Sequence, residues 1–444
     1  PDNFEQKIEF TRVRQLIADR CLSPLGREKA EEMCFSASFA EIDALLAQTE
    51  EYVRILVEED AFPAGNFYDM RPVLHRIRLE GSWIDQSALF ELRRSLQTIN
   101  GIIAFLRRDV ENPRYPRLMQ LTGDIATYPE ITRKIDTILD SFGQVKDHAS
   151  ARLSEIRREL SSAASGISRS LNSILRKAQA EGYVDKDVAP SMRDGRLVIP
   201  VNPSYKRKIK GIVHDESASG KTVFIEPAEV VEANNRIREL EGEERREIIR
   251  ILAEFTSWLR PFLPELLESY EFLAKIDLIQ AKAAFAQQIG GIRPALSDER
   301  LIDWVEAVHP LLYLSLKKQN RKIIPLDITL EGENRILVIS GPNAGGKSVC
   351  LKTVGLLQYM VQCGLLIPLR ENSRVGLFSD IFIDIGDEQS IDNDLSTYSS
   401  HLMNMKYFER HAGDGTLLLI DEFGSGTEPQ IGAAIAEALL DRFN

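Results

Sequence analysis

A glycine-rich loop between a strand-like run and a helix-like run constrains this chain more than any other feature. Residues 341–348 read GPNAGGKS, which fits the pattern G-x-x-x-x-G-K-S/T, and they follow the branched apolar run 336–339. A loop of this kind turns its backbone N–H groups around phosphate oxygens, and glycine permits the backbone angles required. The N-terminus of the following helix faces the same anion. The pattern therefore predicts a nucleoside triphosphate site in an α/β domain.

This loop supplies the first candidate ligand contacts. We expect Lys347 to reach the β- and γ-phosphates and the Ser348 hydroxyl to ligate Mg²⁺. The whole loop is expected to surround the nucleotide, and its members are Gly341, Pro342, Asn343, Ala344, Gly345, Gly346, Lys347 and Ser348.

Two acidic residues at the end of a later strand-like run would complete the site. The apolar run 416–420 is followed directly by Asp421 and Glu422. After a phosphate loop, this arrangement is typical of a Walker B motif. Asp421 would orient Mg²⁺ and its water shell, and Glu422 would orient or deprotonate the attacking water. The alternative is that the two acids only cap the next helix and complement its dipole.

A hydroxyl-rich stretch, residues 394–401, lies between these motifs and precedes a helix-like run. Ser396 and Thr397 could simply cap that helix. Alternatively, the N-terminus of the helix could bind a phosphate, including one held by a second subunit.

Two heptad-like seams flank a change of sequence period. Apolar residues recur at steps of three and four over residues 146–182 and again after residue 228. We interpret the seams as an antiparallel helix pair, an arm roughly 50 Å long at about 1.5 Å per residue. A pair of ordinary core helices is the alternative. The insert between them, residues 183–227, contains short β-branched runs and predicts a small β-rich unit at the end of the arm.

The β-rich insert is locally basic. Residues 191–227 carry a net charge of +3 in a chain whose net charge is −12. Its basic cluster is Lys206, Arg207, Lys208 and Lys210. A strand here would place the three lysines on one face, where they could contact nucleic-acid phosphates. An ordinary strand edge protected by lysines is the alternative.

Composition narrows the class of protein. With 444 residues, of which 43% are hydrophobic and 27% charged, the chain is expected to form two or more globular domains. No run is long and apolar enough for a transmembrane helix, the N-terminus lacks a signal-peptide pattern, and four cysteines are scattered. We therefore expect a cytoplasmic protein without a membrane partner.

Taken together, the motifs resemble those of the MutS ATPases. GPNAGGKS, LSTYSSHLMNM (residues 395–405) and LLLIDEFGSGTEP (417–429) are similar to the Walker A, signature and Walker B segments of that family. LKTVGL (351–356), DIGDEQSI (384–391) and GIVHDESASGKTVFIEP (211–227) resemble more specifically its second bacterial branch, here called MutS-two.

The resemblance implies a multidomain α plus α/β architecture. Its parts would be a helical core or lever (residues 1–145), an ascending arm helix (146–182), a β-rich clamp tip (183–227), a descending arm helix (228–290) and an ABC-like P-loop ATPase domain (291–444).

The resemblance also implies a function. The protein would be a homodimeric ATPase that uses ATP and Mg²⁺, with Ser396 reaching the γ-phosphate bound by the opposite subunit. Lys347, Ser396 and Glu422 would be catalytic, and Ile323 and Ile324 would pack the adenine. The clamp would bind branched DNA to suppress recombination, or the rRNA of collided ribosomes to split them, or both.

The sequence also departs from the family pattern. MutS proper begins with a mismatch-reading domain that carries a Phe-x-Glu wedge, whereas residues 224–226 match that spacing only inside the tip. We therefore do not expect direct mismatch recognition. The family's switch histidine, final strands and nuclease-type domain would follow residue 444. We expect a C-terminally truncated chain with an incomplete ATPase domain, impaired ATP turnover and no nuclease activity of its own.

Two other functions compete with this one. An ATPase of the structural-maintenance type also carries a coiled-coil arm, although the tip has no cysteine for a zinc hook. The second competing function is a scaffold that binds a nucleotide without useful ATP hydrolysis.

Overall fold

The computed structural model describes residues 3–193, 195–341, 346–385, 397–424 and 428–444. The chain divides into two compact units, each assembled from separate stretches. The first unit comprises residues 1–69, 97–127 and 265–444, and the second comprises residues 70–96 and 128–264. The finer division expected from the sequence stays a prediction.

Helices dominate the part of the chain that the structure describes. They are α1 (Phe4–Lys7), α2 (Phe10–Ala18), α3 (Pro24–Glu31), α4 (Phe39–Glu58), α5 (Arg71–Arg76), α6 (Gln86–Leu106), α7 (Pro116–Gln120), α8 (Pro129–Ile138), α9 (Ala151–Ala180), α10 (Ala228–Leu259), α11 (Leu263–Ile289), α12 (Pro310–Lys318), α13 (Lys347–Gln362), α14 (Thr397–His411) and α15 (Pro429–Phe443). Five of them start at a proline, whose fixed φ and missing N–H suit the first helical position.

The described strands form three sheets. They are β1 (Ser191–Arg193), β2 (Arg196–Val201), β3 (Gly211–Glu216), β4 (Val223–Pro227), β5 (Ala295–Ser297), β6 (Ile302–Ala307), β7 (Leu326–Leu330), β8 (Arg374–Gly376), β9 (Asp380–Asp384) and β10 (Thr416–Ile420). An antiparallel sheet has the order β1-β2-β4-β3, a mixed sheet has the order β5-β8-β6-β7, and β9 pairs with β10 in parallel.

The second unit contains the two helices expected on either side of the β-rich insert. α9 and α10 run antiparallel, because polar pairs join Ser150 to Glu247 at 2.7 Å and Arg157 to Glu244 at 2.7 Å. Further along α9, Glu159 accepts a hydrogen bond from Arg236 at 3.0 Å. The partner number therefore falls in α10 as the residue number rises in α9.

Burial along α9 is not continuous. Leu153 and Ile156 are buried near its start, and the next buried residue is Ile167. From Ile167 onward, the helix packs with the sheet residues Val201 and Ile225 in a small apolar cluster. The antiparallel sheet thus shares one core with the far half of the helix pair.

In the first unit, α13 lies in a large apolar core. Its residues Leu356, Leu357 and Met360 are fully buried and belong to the same cluster as Ile383 of β9 and Leu419 of β10. Gly355 allows this close packing, because a Cβ atom there would lie 3.0 Å from the Leu419 side chain. The core therefore fixes the helix that follows the phosphate loop against β10, the strand that directly precedes Asp421.

The expected strand over residues 336–339 is wrong. These residues pair with no described strand, and their side chains are 40–73% exposed. A strand forms only where its backbone N–H and C=O groups find a neighbouring strand, and the described pairing of β10 is with β9. β7 begins at Leu326, directly after Pro325, which has no N–H to donate to a sheet.

Candidate nucleotide-binding site

The lysine of the phosphate loop is the first residue of α13. Gly346 precedes it with φ +83°, a left-handed conformation that glycine adopts without strain. The Lys347 ammonium donates a hydrogen bond to the Gly341 carbonyl at 2.5 Å, so its side chain lies back toward the start of the loop. The expected contacts of Pro342, Asn343, Ala344 and Gly345 lie outside the described residues.

The structure joins the two halves of the expected Mg²⁺ site. The Ser348 hydroxyl donates to Asp421 Oδ2 at 2.5 Å across 73 residues of sequence. Asp421 follows β10 directly and is only 9% exposed to solvent. Its second carboxylate oxygen accepts the Glu422 N–H at 3.0 Å. Hydroxyl and carboxylate oxygens are hard donors of the kind that Mg²⁺ prefers.

The remaining Mg²⁺ ligands would come from phosphates and water. Among the described residues, no group of three or more His, Cys, Asp or Glu side chains could hold a metal ion. Magnesium in nucleotide sites usually takes one or two protein ligands and completes its shell in that way. The donor set therefore fits Mg²⁺ bound together with a nucleotide.

Glu422 has an unusual backbone conformation. Its φ is +49°, a left-handed value that costs a non-glycine residue about 1–3 kcal/mol and is often found at functional sites. The residue is exposed and lines a cavity between α14 and α15, together with Asp384, His401 and Leu439. The exposed Glu422 residue therefore lies next to the hydrogen-bonded Ser348 and Asp421.

Sequence reasoning missed a second polar cluster beside this site. The Asp384 carboxylate receives hydrogen bonds from His401 at 2.6 Å and from Asn404 at 2.7 Å. Both donors lie on α14, whereas Asp384 ends β9. Asp384, His401 and Asn404 lie in two of the segments that resemble the MutS ATPases, but nothing in the sequence indicated that their side chains meet.

Three other predicted site residues are placed less completely. Ser396 lies outside the described residues, and α14 begins at the next position. Ile323 and Ile324 lie just before β7, where Ile323 is half-buried and Ile324 is 92% exposed. Adenine packing by these isoleucines stays a prediction.

Comparison with known proteins finds similarity to MutS proteins. A family model described as MutS domain V matches residues 337–444. Endonuclease MutS2 of Levilactobacillus brevis is 37% identical over 436 residues, which cover 98% of this chain and 54% of that protein. Endonuclease MutS2 of Geobacillus sp. is 38% identical over 435 residues, with coverage of 98% and 54%. Endonuclease MutS2 of Alkaliphilus oremlandii is 35% identical over 434 residues, again with coverage of 98% and 54%.

The chain is similar to these MutS2 proteins over nearly its whole length. It spans about half the length of the curated relatives that it matches. The segment that matches MutS domain V contains Lys347, Ser348, Asp421 and Glu422, as well as the missed cluster around Asp384. Over its described residues, none of the helices has both the length and the apolar character needed to cross a membrane.

The basic cluster lies in the second unit, and its four side chains are exposed. Lys206, Arg207 and Lys208 occupy a turn after the short 3-10 helix Pro203–Tyr205, and Lys210 immediately precedes β3. The expectation that the lysines share one strand face is wrong. The turn forms instead because the Asn202 side chain accepts the Ser204 N–H at 3.0 Å and the chain folds back on itself.

A buried carboxylate anchors the sheet that carries this turn. Glu226 of β4 accepts hydrogen bonds from Arg196 at 2.7 Å, His214 at 2.5 Å and Asn234 at 2.5 Å. Burial alone would raise the pKa of Glu226, but the hydrogen bonds from Asn234, Arg196 and His214 outweigh it and lower that pKa. The sheet is therefore tied to α10 through an ionised, shielded carboxylate.

Proposed function

We propose that this chain is the ATPase and clamp portion of a homodimeric, ATP-dependent nucleic-acid clamp of the MutS2 kind. The observation that carries the ATPase part is the hydrogen bond of 2.5 Å between Ser348 and Asp421. A chance glycine-rich turn would have no reason to contact the acid that follows a distant strand, whereas a shared Mg²⁺–nucleotide site places these two oxygens side by side.

Each side chain would have a distinct part in hydrolysis. Lys347 would exchange its contact with the Gly341 carbonyl for the β- and γ-phosphate oxygens. Ser348 and Asp421 would hold Mg²⁺, which neutralises charge on the phosphates when bound. Glu422 would orient the attacking water and accept its proton. Ser396 of the opposite subunit would complete the site over the γ-phosphate.

Steady-state turnover tests the ATPase proposal directly. We expect the complete protein to hydrolyse Mg²⁺-ATP and the Glu422→Gln variant to lose at least about 100-fold in kcat, because it removes the proton acceptor. Glu437→Gln is a matched control, since Glu437 is an exposed glutamate on α15. Equal rates for Glu422→Gln and the parent would favour a nucleotide-binding scaffold instead.

The clamp part of the proposal depends on the second unit. An antiparallel helix pair ends in a sheet whose β2–β3 turn presents consecutive exposed cations in a chain of net charge −12. Phosphate contacts by such side chains give binding that weakens as salt rises, because counterions are released from the nucleic acid. We propose branched DNA, the rRNA of collided ribosomes, or both as the partners.

Charge reversal at the turn tests the clamp. The Lys206→Glu/Lys208→Glu double variant should bind a synthetic four-way DNA junction and purified ribosomes more weakly than the parent. The slope of log affinity against log salt should fall by about 2, since two phosphate contacts are lost. A control double variant, Lys275→Glu/Lys318→Glu, changes two exposed lysines of the first unit by the same charge. Equal losses in both double variants would refute a specific contact at the turn.

A further inference from the structure

The cluster around Asp384 contains a charged group where the fold does not need one. The Asp384 side chain is 4% exposed, and each of its oxygens has one side-chain partner, His401 Nδ1 at 2.6 Å and Asn404 Nδ2 at 2.7 Å. Burying a carboxylate is unfavourable unless hydrogen bonds replace its water. Apolar residues already hold α14 against β9, since Phe382, Met405 and Phe408 form their own buried cluster.

The Asp384 carboxylate adds directional contacts that orient α14. The two donors lie three residues apart on α14 and therefore share one face of the helix. Two hydrogen bonds to one carboxylate fix both the rotation and the axial position of α14. Apolar contacts between large side chains are not directional and do not fix either one. The network thus determines how α14 sits on the end of β9.

Asp384 also contacts the Asp421–Glu422 motif through its backbone. Asp384 is paired with Ile420 in the parallel ladder, and its carbonyl accepts the Asp421 N–H at 2.8 Å. His401 lines the same cavity as Glu422. One residue therefore holds α14 through its side chain and the start of the Asp421–Glu422 turn through its backbone.

We propose that Asp384, His401 and Asn404 form a positioning network for ATP hydrolysis. The network sets α14 and the left-handed turn at Glu422 in a fixed relation, so that the glutamate faces the nucleotide in one orientation. These residues position Glu422 and do not touch the reacting atoms. The inference rests on the proposed ATPase function.

Two substitutions of one residue separate positioning from folding. His401→Leu removes the hydrogen bond to Asp384 but keeps an apolar side chain, whereas His401→Gln keeps an N–H donor without the imidazole ring. Using the complete protein, we expect His401→Leu to lower kcat by about 10–100-fold, as is typical when an outer partner of a catalytic group is lost. The dissociation constant of Mg²⁺-ATP should change little, and His401→Gln should recover most of the kcat.

His411→Leu is the matched control, because His411 is an exposed histidine in the last turn of the same helix. Asn404→Leu removes the other donor and should also lower kcat; it replaces His401→Leu if that variant does not fold. Parental kcat in the folded donor-loss variant, or a loss that His401→Gln does not restore, would overturn the inference.

Glu422→Gln, assayed in the same series, separates the two proposals. If Glu422→Gln loses turnover while His401→Leu and Asn404→Leu do not, only the positioning network fails. If Glu422→Gln turns over ATP as fast as the parent, the ATPase proposal fails and the network falls with it.

Discussion

Replacing Glu226 with glutamine should loosen the sheet between α9 and α10 while the first unit stays folded. The Glu226 side chain is fully buried and accepts hydrogen bonds from Arg196, His214 and Asn234. A glutamine of the same size keeps one acceptor oxygen but turns an NH₂ group toward at least one of these donors. The Arg196 guanidinium, only 19% exposed, then loses its counter-charge.

The size of the effect follows from that geometry. Breaking a buried ion pair by removing one partner costs about 3–5 kcal/mol. Because Arg196 retains some contact with solvent, we expect the lower end, about 3 kcal/mol. That corresponds to roughly a 100-fold faster amide exchange in the segment that depends on the pair.

Hydrogen–deuterium exchange, read on peptides covering residues 196–227, measures this directly. The matched control is Glu216→Gln, an exposed glutamate on the neighbouring strand β3, for which we expect less than about 0.5 kcal/mol. Because the pKa of Glu226 is lowered in the folded state, its stabilisation is fully present above the ordinary glutamate pKa of about 4.3. It is lost as the pH falls through the lowered value, so the parent and Glu226→Gln should converge in acid. Unchanged protection in Glu226→Gln at pH 7 would refute the reasoning.

Three further predictions concern single side chains. Ser348→Ala should lower Mg²⁺-dependent ATP turnover at least about 10-fold while Ser348→Thr, which keeps the hydroxyl, retains it; phosphate release at saturating ATP measures both, and equal rates would contradict the Mg²⁺ role. Arg157→Ala, which removes the 2.7 Å contact with Glu244, should destabilise the second unit by about 1–2 kcal/mol in urea unfolding, whereas exposed Arg158→Ala should not. Lys282 is buried and burial lowers its pKa to about 8, so Lys282→Met should be more stable than the parent at pH 7 by about 1–3 kcal/mol. That gain should shrink as the pH rises from 8 toward 10.4, where the unfolded lysine also loses its proton; a pH-independent difference would count against it.

Local sequence patterns predicted the long helices well. The steps of three and four residues in α9 and α10 specify an apolar seam without reference to distant parts of the chain. The contact between Ser348 and Asp421 was also predictable, because the phosphate loop and the strand-end acid must share one metal ion.

Sequence patterns failed to predict the structure where a local turn or a contact with a distant residue determines it. The alternating lysines 206, 208 and 210 suggested a strand, but the capping side chain of Asn202 and the following Pro203 start a turn just before them. The pairing of Asp384 with His401 joins residues 17 apart through the packing of α14 on β9, which no periodicity encodes. Residues 336–339 have strand-forming side chains yet find no described partner, since β-propensity takes effect only where a neighbouring strand is available.

The gap in burial along α9 has a mechanical consequence. Between Ile156 and Ile167 the helix has no buried residue, so the far half of the helix pair and its sheet form a core separate from the near half. A load applied at the sheet would meet its least resistance in that stretch, where the buried residue of α10 between Val230 and Ile251 is Leu240 and exposed ion pairs such as that of Arg236 with Glu159 supply other contacts. We expect such a joint to bend more easily than the packed segments on either side of it. Because ion pairs exposed to solvent are screened by salt, we expect it to bend more easily as ionic strength rises.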